Sequence, residues 1–329
     1  MKDPEKILLV TLSNIGDAVL TLPVIGALRE QYKGALIDVI VGPRAAEIFD
    51  SDPRINRAYI YDKSASPLAK LLLMLDIRKS GYDLAVDLRN SMLGLLSGAK
   101  VCSRPAKVAA ASEARHKSEV HLDRLRELGI PAEYKPFPVW ISKADEDKAR
   151  LLLRDKGISD GEEIICVSPG ARSHIKRWAE GSFAKACDLL AAEYKTKFVF
   201  IGDDPDKQIC QRIIGMMRHY AVSTAGQTNL RQLAWIIKRS SLLITNDSAP
   251  LHIASSFKTP VVAIFGPTDP VKYGPRPESP GAALHKKLHC SPCEVAACKY
   301  NLECMKAVTA EEVFDTAKKV LDDRREKKV

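Results

Sequence analysis

The chain has 329 residues, 46% of them apolar and 28% charged, with 50 Lys and Arg against 41 Asp and Glu and a formal net charge of +9. That length exceeds the size at which one hydrophobic core keeps growing, so two domains are expected, and the composition excludes a disordered or fibrous chain. No apolar run approaches the roughly 18 residues that span a bilayer, and Ser13, Asn14 and Asp17 interrupt the N-terminal stretch that could imitate a signal peptide; a cytoplasmic protein is expected.

In chain order, residues 6–12 read as a strand that turns through Ser13-Asn14-Ile15-Gly16-Asp17 into a helix over 18–32, with apolar residues at helical spacing. Strand signals at 35–41, 57–61 and 83–87, with helical patterns between them, imply a parallel, doubly wound sheet. Asp17 then falls in the first turn of a helix that follows a strand, at the carboxyl edge where open α/β sheets bind ligands. It could be a catalytic carboxylate, or an acid that offsets the helix dipole and does nothing else. Gly16 lets a substrate approach the backbone closely.

The densest basic patch lies at 100–126: Lys100, Arg104, Lys107, Arg115, Lys117, Arg124 and Arg126, with His116 and His121, against three acids. It suits an anionic substrate or an acidic membrane surface; the alternative is a solvated helix face. It lacks interleaved aromatics and matches no nucleic-acid module, so nucleic acid is not an expected partner. A proline-rich stretch over 131–138 leads to a charged helix over 144–156 that would bridge two halves. The hinge is placed between 140 and 162, giving domains of 1–150 and 151–309.

The second half opens with a strand over 163–167 that turns through Ser168-Pro169-Gly170-Ala171-Arg172. Arg172, Lys176 and Arg177 in this loop can neutralise a diphosphate, or form a solvated charged loop; Trp178 beside them can anchor the following helix, near 180–194. A strand over 197–201 ends in Gly202-Asp203-Asp204-Pro205-Asp206. A further strand ends in Thr245-Asn246-Asp247-Ser248-Ala249-Pro250-Leu251-His252 and runs into a helix. The strand over 261–265 ends in Gly266-Pro267-Thr268-Asp269-Pro270. The last two loops share one carboxyl edge, and the first opens a helix whose free N–H groups and dipole favour a diphosphate. Asp247 or Ser248 could simply cap that helix, a contribution of about 1 kcal/mol; alternatively Asp247 holds a sugar or ribose hydroxyl. His252 could be a buried core histidine or a ligand-binding one. An amphipathic helix over 310–328 closes the chain and is able to pack on either domain, with a return to the N-terminal one expected.

Of eight cysteines, Cys102, Cys166, Cys187 and Cys210 sit in apolar surroundings and read as inert core thiols. Cys290, Cys293, Cys298 and Cys304 form a C-x2-C-x4-C-x5-C cluster open to three readings: reduced thiols, a structural metal or a disulfide. The chain has no G-x-G-x-x-G, no G-x-x-x-x-G-K-[ST] and no G-x-S-x-G, which disfavours nicotinamide chemistry, P-loop phosphoryl transfer and the serine-hydrolase elbow.

Three segments carry a family resemblance. Ser13-Asn14-Ile15-Gly16-Asp17-Ala18-Val19-Leu20-Thr21-Leu22-Pro23, with Ala27-Leu28-Arg29 after it, resembles the opening motif of the ADP-heptose:lipopolysaccharide heptosyltransferases. Lys176-Arg177-Trp178 with Phe183-Ala184 is similar to their donor loop. Asn246 through His252 and Gly266 through Pro270 resemble their most recognisable segment, and Cys290-Ser291-Pro292-Cys293 with Cys304-Met305 is also similar. The resemblance implies a GT-B fold, two Rossmann-like domains facing across a cleft, the first taking the acceptor and the second the nucleotide-sugar. It implies inverting, metal-independent transfer from ADP-heptose to a lipid A–core acceptor at the inner membrane face, with no cofactor beyond the donor. Asp17 matches the general base, Lys176 a phosphate-contacting lysine and Asp247 the donor-binding aspartate. Asp206, Ser248, Ala249 and His252 join the donor site, and Arg104, Arg115 and Lys117 the acceptor site. Ala249 stands where the family has glycine, and Ala171 and Arg172 replace hydroxyl residues used against phosphate. The alternatives are another nucleotide-sugar or surface-glycan acceptor on the same fold, or a nucleotide-sugar-binding protein without chemistry.

Overall fold

The computed structural model describes residues 3–103, 115–276 and 278–326, and the chain divides into two compact units, Met1–Trp140 and Ile141–Val329. The division falls at the start of the 140–162 interval expected for the hinge, earlier than the boundary at 150. The charged helix Lys143–Asp155, read above as a bridge, belongs wholly to the second unit. There it packs on helix Leu230–Arg239, where Asn229 Nδ2 donates to Asp145 at 3.2 Å and the Arg150 guanidinium stands 5.3 Å from the Trp235 ring.

In the first unit, β1 (Lys6–Val10), β2 (Leu36–Val41), β3 (Arg57–Ile60), β4 (Leu84–Asp87) and β5 (Val101–Cys102) form one parallel sheet in the order β3-β2-β1-β4-β5. Its inner strands are near-continuous apolar runs because helices cover both faces of such a sheet. Leu8 and Val10 point to the face shared with Ile40, Tyr59, Ile77, Tyr82, Ala85 and Leu93; the pleat sends Ile7 and Leu9 to the other. The chain winds from β1 through β2 to β3, then returns to the opposite side of β1 as β4, so the winding reverses between β1 and β4.

The second unit repeats this scheme with one strand more. β6 (Ile164–Ser168), β7 (Lys197–Phe200), β8 (Ala221–Ser223), β9 (Leu242–Asn246), β10 (Val261–Phe265) and β11 (Gly281–His285) run parallel in the order β11-β10-β9-β6-β7-β8. Here the reversal falls between β6 and β9, which end side by side because Ser168 pairs with Thr245.

The closing helix, described over Ala310–Glu326, belongs to the second unit. Ala310, Val313, Ala317 and Leu321 line one face of it and enter the core of the second unit beside Phe183, Cys187 and Leu190 of helix Glu180–Glu193. The apolar stripe read from the sequence says that a helix packs; it does not say on what.

Candidate active site

At the reversal point of the second sheet two loops leave neighbouring strand ends, the position where open parallel sheets leave a crevice for ligands. The loop after β6 is stapled to the end of β9 by Asn246. Its Nδ2 donates to the Pro169 carbonyl at 2.7 Å, and its Oδ1 accepts from the Trp178 N–H at 3.1 Å. Trp178 is buried, meets Phe183 edge-on at 4.9 Å and donates from Nε1 to the Val308 carbonyl at 2.9 Å. This is the anchoring role the sequence suggested for it. The loop is thereby fixed at both ends, and Lys176, in a single 3-10 turn between them, projects to Asp247.

Lys176 Nζ lies 2.6 Å from Asp247 Oδ2, and Thr268 Oγ1 donates to the same oxygen at 2.7 Å. The Asp247 side chain is 6% exposed and that of Lys176 29%. A carboxylate this deep needs both donors, and the ammonium in return is held at a partly open position with its charge directed. Three loops, after β6, β9 and β10, thus meet in one ion-paired cluster. Asp247 is therefore not a helix cap. Ser248 occupies the N-cap position of helix Ala249–Ser256, but its hydroxyl makes no capping bond and pairs with Thr245 Oγ1 at 3.2 Å. Ala249 has helical backbone and is absent from the positive-φ residues, so no left-handed strain attaches to the alanine that stands in place of glycine. His252 is buried in the same helix.

Asp206 closes the other side. It follows β7, next to β6, and its carboxyl lies against the backbone of both strand ends. A Cβ on Gly170 would fall 2.2 Å from Asp206 Oδ1, and one on Gly202 2.6 Å from Asp206 Cβ. Burial, then the neighbouring Asp203 charge, push the Asp206 carboxyl up to about 6. Arg177 Nε is committed to the Ala171 carbonyl at 2.9 Å, which closes the loop on itself.

In the first unit the reversal point is occupied by Asp17, in the first turn of helix Ile15–Gln31. Asn14 Nδ2 donates to Asp17 Oδ2 at 2.9 Å, so Asp17 is oriented by the residue at the N-cap position. Gly42, at the end of β2, is pressed on the same loop: a Cβ there would stand 2.7 Å from Ser13 Cβ. His121, on helix Lys117–Arg126 packed against helix Ile15–Gln31, is buried near Asp17. Burial pushes this imidazole down to about 4, while the Asp17 carboxylate acts in the opposite sense. The ring is therefore neutral at physiological pH.

The basic patch is largely spent on internal pairs. Lys100 pairs with Asp83 at 2.7 Å, Arg115 with Asp123 at 2.6 Å, Arg126 with Asp123 at 2.7 Å and Glu119 at 3.0 Å, and Arg124 with Glu127 at 2.9 Å. Lys117 opens the helix. Arg104 and Lys107 lie outside the described residues. All eight cysteines are free, and burial pushes Cys166 and Cys210 up to about 12, as inert core thiols would be. Cys298 Sγ accepts from the Tyr300 and Leu302 N–H groups at 3.3 and 3.4 Å. Among the described residues no three His, Cys, Asp or Glu side chains converge as a metal site. Sequence alone assigns no site role to Thr268, Asn246 or His121. The first two stood inside quoted motifs, but their partners lie 21 and 77 residues away and are visible only once the sheet is assembled.

The architecture is shared with solved structures. A glycosyl transferase family 9 protein from Veillonella parvula superposes with a TM-score of 0.83 at 21% identity, covering 97% of both chains. The ADP-heptose lps heptosyltransferase II of E. coli gives 0.77 at 20% identity, over 97% of this chain and 99% of that one. The fold class is accordingly GT-B, a glycosyltransferase architecture of two Rossmann-like domains. Among curated proteins, lipopolysaccharide heptosyltransferase 3 of Escherichia coli K12 is 30% identical over 292 residues, 80% of this chain and 83% of the relative. Lipooligosaccharide heptosyltransferase 2 of Campylobacter jejuni is 24% identical over 319 residues, 93% and 96% of the two chains. Residues 73–303 match the family model for glycosyltransferase family 9 (heptosyltransferase), and the chain belongs to that family.

Proposed function

We propose that the protein transfers a heptose from ADP-heptose to an inner-core sugar of a lipopolysaccharide acceptor, with inversion at the anomeric carbon and without a metal. The donor and acceptor are those in the names of its relatives. The observation that carries the reading is the Lys176–Asp247–Thr268 cluster at the reversal point of the second sheet. As the glycosidic C–O bond to the diphosphate breaks, negative charge grows on the leaving oxygen. Lys176 and the N–H groups at the start of helix Ala249–Ser256 absorb it. Asp247 Oδ1 and Asp206 accept hydroxyls of the donor. On the first unit Asp17, oriented by Asn14, takes the proton of the acceptor hydroxyl as that oxygen attacks, a contribution of about 10²–10⁴ in rate. Arg104, Arg115 and Lys117 take the acceptor's phosphates; freeing an exposed pair such as Arg115–Asp123 costs only about 0–1 kcal/mol. The reaction takes place at the cytoplasmic face of the inner membrane.

The test is incubation with ADP-heptose and a deeply truncated lipopolysaccharide, read by mass spectrometry for one added heptose. Asp17→Asn should lower transfer by about 10²–10⁴ with ADP affinity unchanged. Equal rates for variant and wild type would remove Asp17 from the mechanism. Lys176→Ala should raise the calorimetric Kd for ADP by about tenfold or more, since a charge-assisted contact to phosphate is lost. An unchanged Kd would detach Lys176 from the donor.

A further inference from the structure

Helix Pro67–Lys79 is apolar on two opposite sides. Ile77 is buried against Leu8, Ile40, Tyr59 and Tyr82, with Leu73 and Met74 packed beside it. On the other side Leu68, Leu71, Leu72 and Leu75, at i, i+3, i+4 and i+7, expose 64, 56, 58 and 45% of their surface. A helix apolar all round belongs in an interior, so a row of four exposed leucines marks an interaction surface. Further apolar side chains are exposed on the same unit. Helix Leu93–Leu96 joins the same core cluster through Leu93 and exposes Leu95 and Leu96, with Met92 exposed just before it. Gly98, just after that helix, lies against Arg78 of helix Pro67–Lys79.

The charge around the row selects its occupant. Between Lys63 and Lys79 the chain carries Lys63, Lys70, Arg78 and Lys79 against one acid, Asp76, which is itself paired with Arg57 at 2.7 Å. The Lys70 ammonium is held at the start of the helix, 2.6 Å from the Lys63 carbonyl, and Arg78 and Lys79 stand at its end. In a twofold contact between two copies the same surface serves both partners, so these cations would be brought up against one another. A surface of anionic lipid headgroups over an acyl layer satisfies both features, cations at the rim and leucines within. We infer that the Leu68–Leu75 face of helix Pro67–Lys79, together with Met92, Leu95 and Leu96, seats the first unit on an anionic phospholipid bilayer. This adds a seating surface to the membrane-face location proposed above, on which it rests, and uses none of the residues of the transfer reaction.

Sedimentation of the whole protein with vesicles tests it. Wild type should bind phosphatidylglycerol-containing vesicles, release them at high salt and leave pure phosphatidylcholine vesicles free. Leu71→Ser/Leu72→Ser and, separately, Lys63→Glu/Lys79→Glu should each weaken binding about tenfold or more. Both changes are on the surface, and transfer to a water-soluble, delipidated acceptor fragment should stay at the wild-type rate. Wild type that ignores anionic vesicles, or variants that bind like wild type, would overturn the inference. So would a wild-type dimer in light scattering that becomes monomeric in Leu71→Ser/Leu72→Ser, which would give the face to a second copy. Absence of transfer with vesicle binding intact would sink the proposed reaction and leave this surface standing.

Discussion

A carboxyl group wedged over two glycines ionises less readily than one in water. Asp206, against Gly170 and Gly202 and beside Asp203, has been pushed from an ordinary 3.8 up to about 6. A raised value means that the folded protein holds this proton more tightly than the unfolded chain. The stabilisation is therefore complete below about pH 4 and is lost as pH rises through about 6. Asp206→Asn removes this titration. The variant should melt with wild type near pH 4 and above it at pH 7, a divergence that thermal melts across the range will show. Parallel curves would mean that the carboxyl titrates normally. His121 works in the opposite direction: its imidazole, pushed down to about 4, costs stability as pH falls from 6.5 through that value. The two groups can be separated by the sign of their slopes.

At the level of elements, the catalytic carboxylate proposed here depends on a glycine just after a neighbouring strand. Gly42 has φ of −76°, a backbone open to any residue, so what excludes a side chain there is steric, with Ser13 the nearest obstacle. Gly42→Ala should displace the loop that carries Asp17. A destabilisation of about 1–3 kcal/mol is expected from overpacking, with a fall in kcat and no change in the Kd for ADP. A variant that keeps full kcat would show that the loop tolerates the shift. Strands β1, β2, β4, β6, β7, β9 and β10 could be read from the sequence because each is an apolar run ended by a polar turn. β5, β8 and β11 could not, since they are two to five residues at or near sheet edges with little burial to impose a pattern. The placement of Asp17, Lys176 and Asp247 at the carboxyl ends of the sheets was legible because each stands between the end of a strand and the first turn of the helix that follows it. That Lys176 and Asp247 would touch was not, because their contact closes 71 residues of chain and is fixed by Asn246 and Trp178, whose roles are set by distant carbonyls.

The molecule as a whole is two copies of one winding scheme, each with its reversal beside the first strand. If the donor belongs to the second copy, saturating ADP should slow hydrogen exchange at 169–178, 247–252 and 266–268 and leave residues 11–17 unchanged. At a hundredfold excess over Kd the ligand supplies about 2.7 kcal/mol to the part that binds it. Protection confined to the first unit would reverse the assignment of the two halves. The position of the last helix has a consequence for synthesis on the ribosome. The first unit has all its strands within Met1–Trp140 and can mature while the remainder is still being translated. The second stays without one wall of its interior until Val313, Ala317 and Leu321 have emerged. A premature stop codon shortly before Ala310 would thus yield a well-formed first unit joined to a second unit left for proteases.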